Sequence, residues 1–347
     1  AENFNVEDGA GNKWIDFTST IFVANAGHSN PYIIKAIQTQ LKRPLLHTYT
    51  FASDIRAKFL KKLIEFTPAF CQKAFLMSSG TEATECAIKL MRMWGQKISK
   101  DKVGIISFTG SMHGRTMGAE MLRGKPESSE WIGYKDPNIH HLTFPYPWTE
   151  SSFEKDIAKL IVNVDINKIA GFAIESYQGW GAILYPKEYI QSLVRFAKKH
   201  NIIVMFDEIQ SGFGRTGKLF CYEHYGITPD LLCLGKALSG GMPLSAVIGR
   251  NEIVNIPAFG SMSSTHSARP IGCAAGLANI EFFEKNNLVK EAERKGKILH
   301  KKLNELKNHY PHMISYVLGT GMVAGLIIVD KNKKPDGALA TKICEKA

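Results

Sequence analysis

The stretch LLCLGKALSGGMPLSAVIG, Leu231–Gly249, contains a single lysine, Lys236, close behind an apolar run. The run LLCL is typical of a buried strand, and the glycines around the lysine let a ligand approach the backbone closely. Two interpretations of Lys236 are open from this stretch alone. A lysine at a strand end commonly reaches solvent along its apolar stem, whereas a desolvated lysine is a nucleophile that condenses with carbonyl groups. The rest of the chain decides between them.

Other short apolar runs alternate with segments of helical pattern. They are KAFLM (73–77), VGIISF (103–108), IAGFAI (169–174), IIVMF (202–206) and SAVIG (245–249). Continuous apolar runs separated by helices are typical of an α/β fold, so we predict a mostly parallel central sheet with helices on both faces. Polar or glycine-rich residues follow nearly every run, and ligands of such sheets bind beyond the carboxyl ends of the strands. The sequence therefore predicts one site built from several loops.

The character of the chain changes from about residue 282. A long amphipathic helix, broken near Asn286 and Asn287, is followed by two β-like stretches, MISYVLG and MVAGLIIVD. This pattern indicates a smaller α+β domain, to which the N-terminal run WIDFTSTIFV is expected to contribute. We predict an N-terminal segment and linker at 1–45, a large domain at 46–285 and the start of a C-terminal portion at 286–347. We also expect the small domain to be incomplete here, with further sequence beyond both ends.

The composition is that of a globular protein and argues against several classes of function. The chain has 347 residues, of which 44% are hydrophobic and 22% charged, enough for two domains. No apolar run suits a membrane span, and the N-terminus lacks the pattern of a signal peptide. The lysines behind the net charge of +11 are scattered, so nucleic-acid binding is not predicted. The six cysteines form no C-x-x-C pair, so we predict reduced thiols, no metal site and a cytoplasmic protein.

A helix start follows the KAFLM run, at Ser79, Gly80 and Thr81. Free backbone N–H groups at a helix N-terminus bind anions, and hydroxyl groups add further donors. The alternative is a capping box, because Glu82 follows Ser79 by three residues. A second polar loop, SMSSTHSARP (261–270), contains Thr265, which is either a phosphate ligand or an ordinary loop hydroxyl.

Asp207 closes an apolar run at the start of DEIQSGFGRTG (207–217). A carboxylate there needs a cationic partner or several hydrogen bonds, and a protonated pyridine nitrogen is such a partner. The glycines match G-x-G-x-x-G, but a dinucleotide fingerprint turns directly from strand into helix and this segment does not. His113, in GSMHGRT, follows another strand end and either stacks on a ring or is held within its loop. A phosphate cradle, a carboxylate for a ring nitrogen and an amine for an aldehyde together match pyridoxal phosphate.

Several segments of this chain resemble class III, fold-type I pyridoxal-phosphate aminotransferases, the group of the 4-aminobutyrate and ornithine ω-aminotransferases. They are SSGTEATECAIKLMR (78–92), FTGSMHGRT (108–116), FDEIQSGFGRTG (206–217), LGKALSGGMPLSAVIG (234–249), the SSTH loop and GHSNP (27–31). The resemblance covers essentially the whole chain. It implies the fold-type I architecture and pyridoxal 5'-phosphate as the cofactor.

The resemblance also implies a role for each residue around the reacting amine. Lys236 holds the cofactor as a Schiff base and then acts as acid and base in the proton shift. Asp207 keeps the ring nitrogen protonated, and Gln210 hydrogen-bonds the phenolic oxygen. His113 lies at the ring, and Glu175 matches a family glutamate near the cofactor whose role is less defined.

The phosphate ligands implied by the resemblance come from two subunits. Ser79, Gly80 and Thr81 hold the phosphate, and Thr265 reaches the phosphate of the partner subunit. A homodimer with shared active sites is therefore expected.

Two departures from the family pattern bear on the substrate. Met112 replaces the aromatic residue that usually stacks on the ring, although its thioether can also pack on a π face. Trp180 replaces the glutamate that gates the carboxylate-binding arginine, and we expect that arginine beyond the end of this sequence. Ile21 and Phe22, with Trp180, are expected to line the substrate pocket, and Arg269 is either an alternative anion contact or a surface arginine.

The sequence thus predicts an enzyme that moves an amino group between an amine or amino acid and a 2-oxo acid. Alternatives with the same cofactor are a racemase, an epimerase or a decarboxylase, because the first chemical steps are shared. A nicotinamide-dependent dehydrogenase using GFGRTG, or a catalytically silent binding protein, is a weaker alternative.

Overall fold

The computed structural model describes residues 1–262 and 264–346; Ser263 of the serine-rich loop and Ala347 lie outside this part. The strands are β1 Asn5–Glu7, β2 Lys13–Ile15, β3 Lys73–Met77, β4 Gly104–Phe108, β5 Ile139–Leu142, β6 Ile169–Glu175, β7 Ile203–Asp207, β8 Leu231–Leu234, β9 Ser245–Gly249, β10 Ile314–Thr320 and β11 Val323–Ile328. The α-helices are α1 Ser19–Phe22, α2 Pro31–Leu41, α3 Asp54–Phe66, α4 Gly80–Ile98, α5 Met117–Met121, α6 Pro126–Ser129, α7 Phe153–Ile161, α8 Lys187–Lys199, α9 Asn251–Val254, α10 Pro270–Lys285, α11 Leu288–His309 and α12 Gly337–Lys346.

The central sheet has seven strands in the order β3-β9-β8-β7-β6-β4-β5. Strand β9 runs antiparallel to both of its neighbours, and the remaining pairs are parallel. The carboxyl ends of β3, β4, β6, β7 and β8 therefore meet at one edge. The six apolar runs between residues 73 and 249 that were predicted as strands all lie in this sheet, which confirms the predicted mostly parallel α/β architecture.

Helices cover both faces of the sheet, because successive residues of a strand point to opposite sides. In β7, Val204 and Phe206 pack into one apolar cluster with α3, α7, α8 and α10, whereas Ile203 and Met205 pack into a second cluster against α4. A strand buried on both faces has no polar side, and this explains the continuous apolar runs of the sequence.

The long helix α4 begins at the predicted helix start. Ser79 caps it, and Glu82 completes the capping box by accepting hydrogen bonds from the Ser79 backbone. The buried side chains of Ala83, Ala87 and Leu90 recur at helical spacing and face the sheet. Capping and apolar periodicity together place the N-terminus of α4 at the edge where the strands end.

Two small antiparallel hairpins flank the central sheet in the sequence, β1–β2 and β10–β11. The predicted helix break is confirmed, because α10 ends at Lys285 and α11 begins at Leu288, with Asn287 at a φ of 50° between them. Of the helices in the described part of the chain, none combines the length and the apolar character that a membrane span requires.

The aromatic core offers a test of the packing. Phe108 is fully buried, and its ring lies 5.0 Å from that of Tyr185 in an edge-to-face arrangement. We expect Phe108→Ala to lower the free energy of unfolding by about 3–5 kcal/mol, because the lost contacts leave a cavity in a rigid core. Phe17→Ala, at a side chain that is 87% exposed, is the matched control. It should change the free energy of unfolding by less than about 0.5 kcal/mol. Equal effects in urea titrations would contradict this packing.

Candidate active site

A cavity of about 210 Å³ lies at the carboxyl edge of the central sheet. It is lined by Gly80, Thr81, Met112, His113, Gly114, Glu175, Tyr177, Asp207, Ile209, Gln210, Ser211 and Lys236. These residues come from the loops and ends that follow β3, β4, β6, β7 and β8. The sheet topology therefore brings together side chains that are far apart in the sequence.

Lys236 follows β8 and lies in the wall of this cavity, where it is partly exposed. Its φ is 39°, a left-handed conformation that a non-glycine residue adopts only when its surroundings enforce it. Burial lowers the pKa of the Lys236 amine, and nearby Arg215 lowers it further, although the carboxylates of Asp207 and Glu175 oppose this shift. A larger fraction of the amine is therefore neutral and nucleophilic than in an ordinary lysine.

Asp207 is the last residue of β7, and its carboxylate is held in a fixed direction. Oδ2 lies 2.9 Å from Nδ1 of His113, and Oδ1 accepts a hydrogen bond from the Ile209 backbone at 3.0 Å. Burial alone lowers the pKa of His113, but the hydrogen bond and charge of Asp207, together with Glu175, raise it overall. The pair therefore presents a buried carboxylate that is oriented by a histidine.

Glu175 ends β6 and is 6% exposed. Its Oε1 accepts a hydrogen bond from the Gly179 backbone at 3.3 Å, whereas its Oε2 has no hydrogen-bond partner among the described residues. Burial raises the pKa of Glu175 to about 7, and the charge of Asp207 adds to this while His113 opposes it. Gln210 also carries a buried oxygen, Oε1, without a partner in the described part of the chain.

The start of α4 closes the cavity on the side of β3. Gly80 and Thr81 line it, while Ser79 does not and uses its side chain for capping. A β-carbon on Gly80 would lie 3.1 Å from Ile209, so a larger residue would displace the wall of the cavity. The Thr81 hydroxyl lies 2.6 Å from the hydroxyl of Thr116. An anion placed here meets the N-terminal N–H groups of a nineteen-residue helix.

The GFGRTG segment forms turns and no helix begins at its glycines, as expected. Glu208, beside Asp207, points away from the cavity, where its oxygens accept hydrogen bonds from two hydroxyls and two backbone N–H groups. The donors are Ser176 Oγ at 2.6 Å, Ser211 Oγ at 2.5 Å, Cys221 N at 3.0 Å and Tyr222 N at 2.8 Å. Glu208 therefore links neighbouring loops through hydrogen bonds to side-chain and backbone donors.

Some of the residues singled out in the sequence lie outside the cavity wall: Ser79, Thr265, Ile21, Phe22, Trp180 and Arg269. Phe22 packs against a small apolar cluster that includes the cavity residue Tyr177, and it lies under the guanidinium of Arg215 at 4.7 Å. Ile21 is 66% exposed. Ile21 and Phe22 both have positive φ angles, and these angles turn the two side chains in directions that the sequence pattern does not predict.

Trp180 and Arg269 also have partners away from the cavity. Trp180 lies under the guanidinium of Arg123 at 5.5 Å, and Arg123 in turn contacts Glu120 at 3.0 Å. Arg269 hydrogen-bonds Nδ1 of His266 within its own loop. The structure therefore gives Arg269 a local contact and does not place it beside Lys236.

Sequence reasoning missed Tyr177 as a cavity residue. It is 2% exposed, lines the cavity and carries a hydroxyl without a hydrogen-bond partner among the described residues. A signal was present, because Tyr177 follows Glu175 by two positions and residues with that spacing at a strand end point the same way. Ile209 and Ser211 were missed for lack of any comparable signal.

The residues of this cavity fit pyridoxal phosphate. The amine of Lys236 and the carboxylate of Asp207 line one space, together with a helix N-terminus for a phosphate. The partnerless oxygens of Glu175 and Gln210 show that the polar side chains around this space are not satisfied by one another.

Comparisons with known proteins agree with this site. The family model for aminotransferase class-III matches residues 1–347. The chain is 33% identical to ornithine aminotransferase of Emericella nidulans, over 99% of this chain and 75% of that protein. It is 34% identical to 2-aminoadipate transaminase of Pseudomonas putida, over 99% of this chain and 84% of that protein.

Solved structures give the same result for the fold. The crystal structure of a thermostable (S)-enantioselective ω-transaminase from Thermomicrobium roseum superposes with a TM-score of 0.90 at 28% identity, covering 99% of this chain and 81% of that one. The family match excludes the nicotinamide-dependent dehydrogenase, and the named relatives are aminotransferases instead of racemases or decarboxylases. This chain belongs to the class-III aminotransferases, enzymes that depend on pyridoxal 5'-phosphate.

Proposed function

We propose that Lys236 and Asp207 are the catalytic residues of this aminotransferase. The observation that carries the proposal is the presence of both side chains in one cavity at the sheet edge. Pyridoxal phosphate supplies an aldehyde that forms a Schiff base with amines and a ring that withdraws electrons. Lys236, with its lowered pKa, accepts and returns the proton of the substrate carbon as a general base and acid. Asp207, oriented by His113, holds a proton on the ring nitrogen.

The remaining cavity residues are proposed to bind and orient the cofactor. Gln210 donates a hydrogen bond to the phenolic oxygen, and the backbone of Gly80 and Thr81 receives the phosphate with help from Ser79. Met112 and His113 flank the ring. Support comes from the positions of these residues around one cavity, except for Ser79, which lies beside it in the helix cap.

We propose that the enzyme is a homodimer with shared sites. Thr265 is exposed and lies outside the cavity of its own chain, as expected for a residue that serves the partner subunit. A groove of about 890 Å³ near this loop has a wall rich in apolar side chains, which include Leu60, Ile64, Phe75, Val254, Phe259 and Met262. A second copy of the chain is the proposed occupant of this groove.

Thr265→Ala is expected to weaken cofactor binding about tenfold while leaving the dimer intact, because a hydrogen bond to a charged group is lost. Sedimentation velocity gives the oligomeric state, and fluorescence titration of apoenzyme gives the affinity. Ser261→Ala, whose hydroxyl donates to Ala258 O in its own loop, is the matched control. A monomer at micromolar concentration, or equal affinities for the two variants, contradicts the shared site.

We propose that the amino donor is an amine or amino acid and the acceptor a 2-oxo acid, with a specificity that differs from an ion-gated ornithine or 4-aminobutyrate enzyme. Trp180 supports this, since an indole stacked on Arg123 cannot form an ionic gate. Relatives include a 5-aminovalerate aminotransferase of Pseudomonas putida and a putrescine aminotransferase of Pectobacterium atrosepticum.

A panel of donors, each tested alone for conversion of the cofactor's visible absorption band, identifies the substrate. Donors with an apolar side chain should react faster than ornithine. If ornithine reacts fastest, the specificity inferred from Trp180 is wrong, whereas the roles of Lys236 and Asp207 stand. If no donor converts the band, the proposed roles fail as well.

The domain division at 46–285 and the cytoplasmic location also stay proposals. The central sheet lies between Lys73 and Gly249, within the proposed large domain, which supports the domain division. All six cysteines are free, and five of them are buried, which supports a reducing compartment. We propose no nucleic-acid or membrane partner, because the positive charge is scattered over the sequence.

A further inference from the structure

Two cavity residues, Glu175 and Gln210, both lie close to a single glycine, Gly179. A β-carbon built on Gly179 would lie 2.6 Å from Gln210 Oε1 and 3.1 Å from Glu175 Oε1. A β-carbon at position 179 would therefore displace the Gln210 oxygen and crowd the Glu175 oxygen, so a glycine lets both side chains lie close to the same stretch of backbone. Gly179 also fixes one end of the carboxyl group, since its N–H donates to Glu175 Oε1 at 3.3 Å.

The two side chains present oxygen atoms that lack donors. Within the described residues, neither Glu175 Oε2 nor Gln210 Oε1 has a hydrogen-bond partner, and both atoms are buried. A carboxylate and an amide oxygen both accept hydrogen bonds, so an ionised Glu175 does not satisfy Gln210 in this orientation. A protonated Glu175 does, because its O–H donates to the amide oxygen.

We propose that Glu175 is a positioning residue that acts as a neutral acid, donating a hydrogen bond to Gln210 Oε1 and thereby directing the amide N–H group of Gln210 toward the phenolic oxygen of the cofactor. An ionised Glu175 would instead attract the amide N–H group and turn the amide oxygen toward the phenolic oxygen, where two acceptors repel each other. The inference rests on the proposed role of Gln210, and it adds the reason why the amide points the right way.

Burial, helped by the charge of Asp207, favours the neutral form of Glu175, whereas His113 and the backbone N–H groups of Met112 and Gly179 favour the ionised form. The titratable groups that face it come from several elements of the site: His113, Asp207, Lys236, Tyr177 and Tyr185. His113 and Asp207 compensate each other as a hydrogen-bonded pair at 2.9 Å. Ionisation of Glu175 therefore adds an uncompensated negative charge to a desolvated site unless Lys236 carries a proton. Burial raises the pKa of Glu175 to about 7, in line with this arrangement.

The test measures cofactor affinity across pH in the apoenzyme, by quenching of tryptophan fluorescence, so that it does not depend on turnover. Wild type should bind pyridoxal phosphate well at pH 6 and lose about tenfold in affinity by pH 8, the effect of one hydrogen bond to a charged group. Glu175→Gln keeps an N–H donor for Gln210 without ionising, so it should retain the pH 6 affinity at both values. Glu175→Leu offers no donor and should bind about tenfold more weakly at both.

A matched control separates this effect from the general consequences of removing a buried acid. Asp230, at the opposite edge of the sheet, has a pKa that burial also raises, and it accepts a hydrogen bond from the Val204 backbone at 2.8 Å. Asp230→Asn should keep the pH dependence of wild type.

The remaining outcomes overturn the proposal. If Glu175→Gln binds as weakly as Glu175→Leu at pH 6, the negative charge of Glu175 is what the site requires. If Glu175→Gln keeps the pH step of wild type, another group titrates. Failure of wild type to bind the cofactor at all overturns the proposed site together with this inference, and the two failures are thereby distinguished.

Discussion

Lys236→Ala is expected to lower kcat by about 10⁴-fold, the upper range for removal of a group that transfers protons in the transition state. The same variant should lose the visible absorption that the cofactor shows when it is attached to the protein. Both effects follow from the position of Lys236 in the cavity wall with a lowered pKa, because no other lysine lines that cavity in the described part of the chain. The measurements are steady-state rates and absorption spectra after incubation with pyridoxal phosphate.

Lys102 provides a matched control for this experiment. Its side chain is also buried, with a pKa that burial lowers, but its Nζ lies near backbone carbonyls, 3.2 Å from His200 O. Lys102→Met should therefore alter stability and leave the absorption band in place. Partial recovery of Lys236→Ala activity by a small primary amine would support the assignment, because the missing group is an amine. Retention of colour and activity by Lys236→Ala would remove the basis of the proposed mechanism.

Asp207→Asn is expected to lower kcat by about 10²–10³-fold, the range for loss of one preorganised electrostatic group. The amide keeps the size of the side chain but cannot carry the negative charge that holds a proton on the ring nitrogen. It also removes the anion at 2.9 Å that raises the pKa of His113, so the histidine should titrate at lower pH in the variant.

Rates measured with the cofactor in excess distinguish this catalytic loss from weaker binding. Asp230→Asn, at a half-buried aspartate outside the cavity, should stay within about tenfold of wild type. An Asp207→Asn enzyme with nearly normal kcat at saturating cofactor would show that the carboxylate is structural.

Much of the fold follows from local sequence signals. The run LLCL and its counterparts predict the strands, because a strand buried on both faces must be apolar throughout. Ser79 and Glu82 mark the start of α4, and the break near Asn287 separates α10 from α11. These features depend on residues close together in the chain, where capping, periodicity and turn chemistry act.

Local sequence signals predict only some of the residues that line the cavity. The motifs predict Lys236 and Asp207 because each directly follows an apolar run, and the carboxyl ends of parallel strands share one edge. The distances between them depend on the strand order. The contact between Asp207 and His113 joins residues 94 positions apart, and no pattern in either segment predicts that the two residues meet.

The sequence by itself determined the α/β class, the strands that carry the site and the amine and carboxylate at their ends, because periodicity and chain neighbourhood are local properties. Only the tertiary structure decided that Tyr177 lines the cavity, that Trp180 stacks on Arg123 and that Glu175 and Gln210 both lie close to Gly179. These positions depend on loop conformations, and the loop conformations are stabilised by contacts between residues that are remote in sequence.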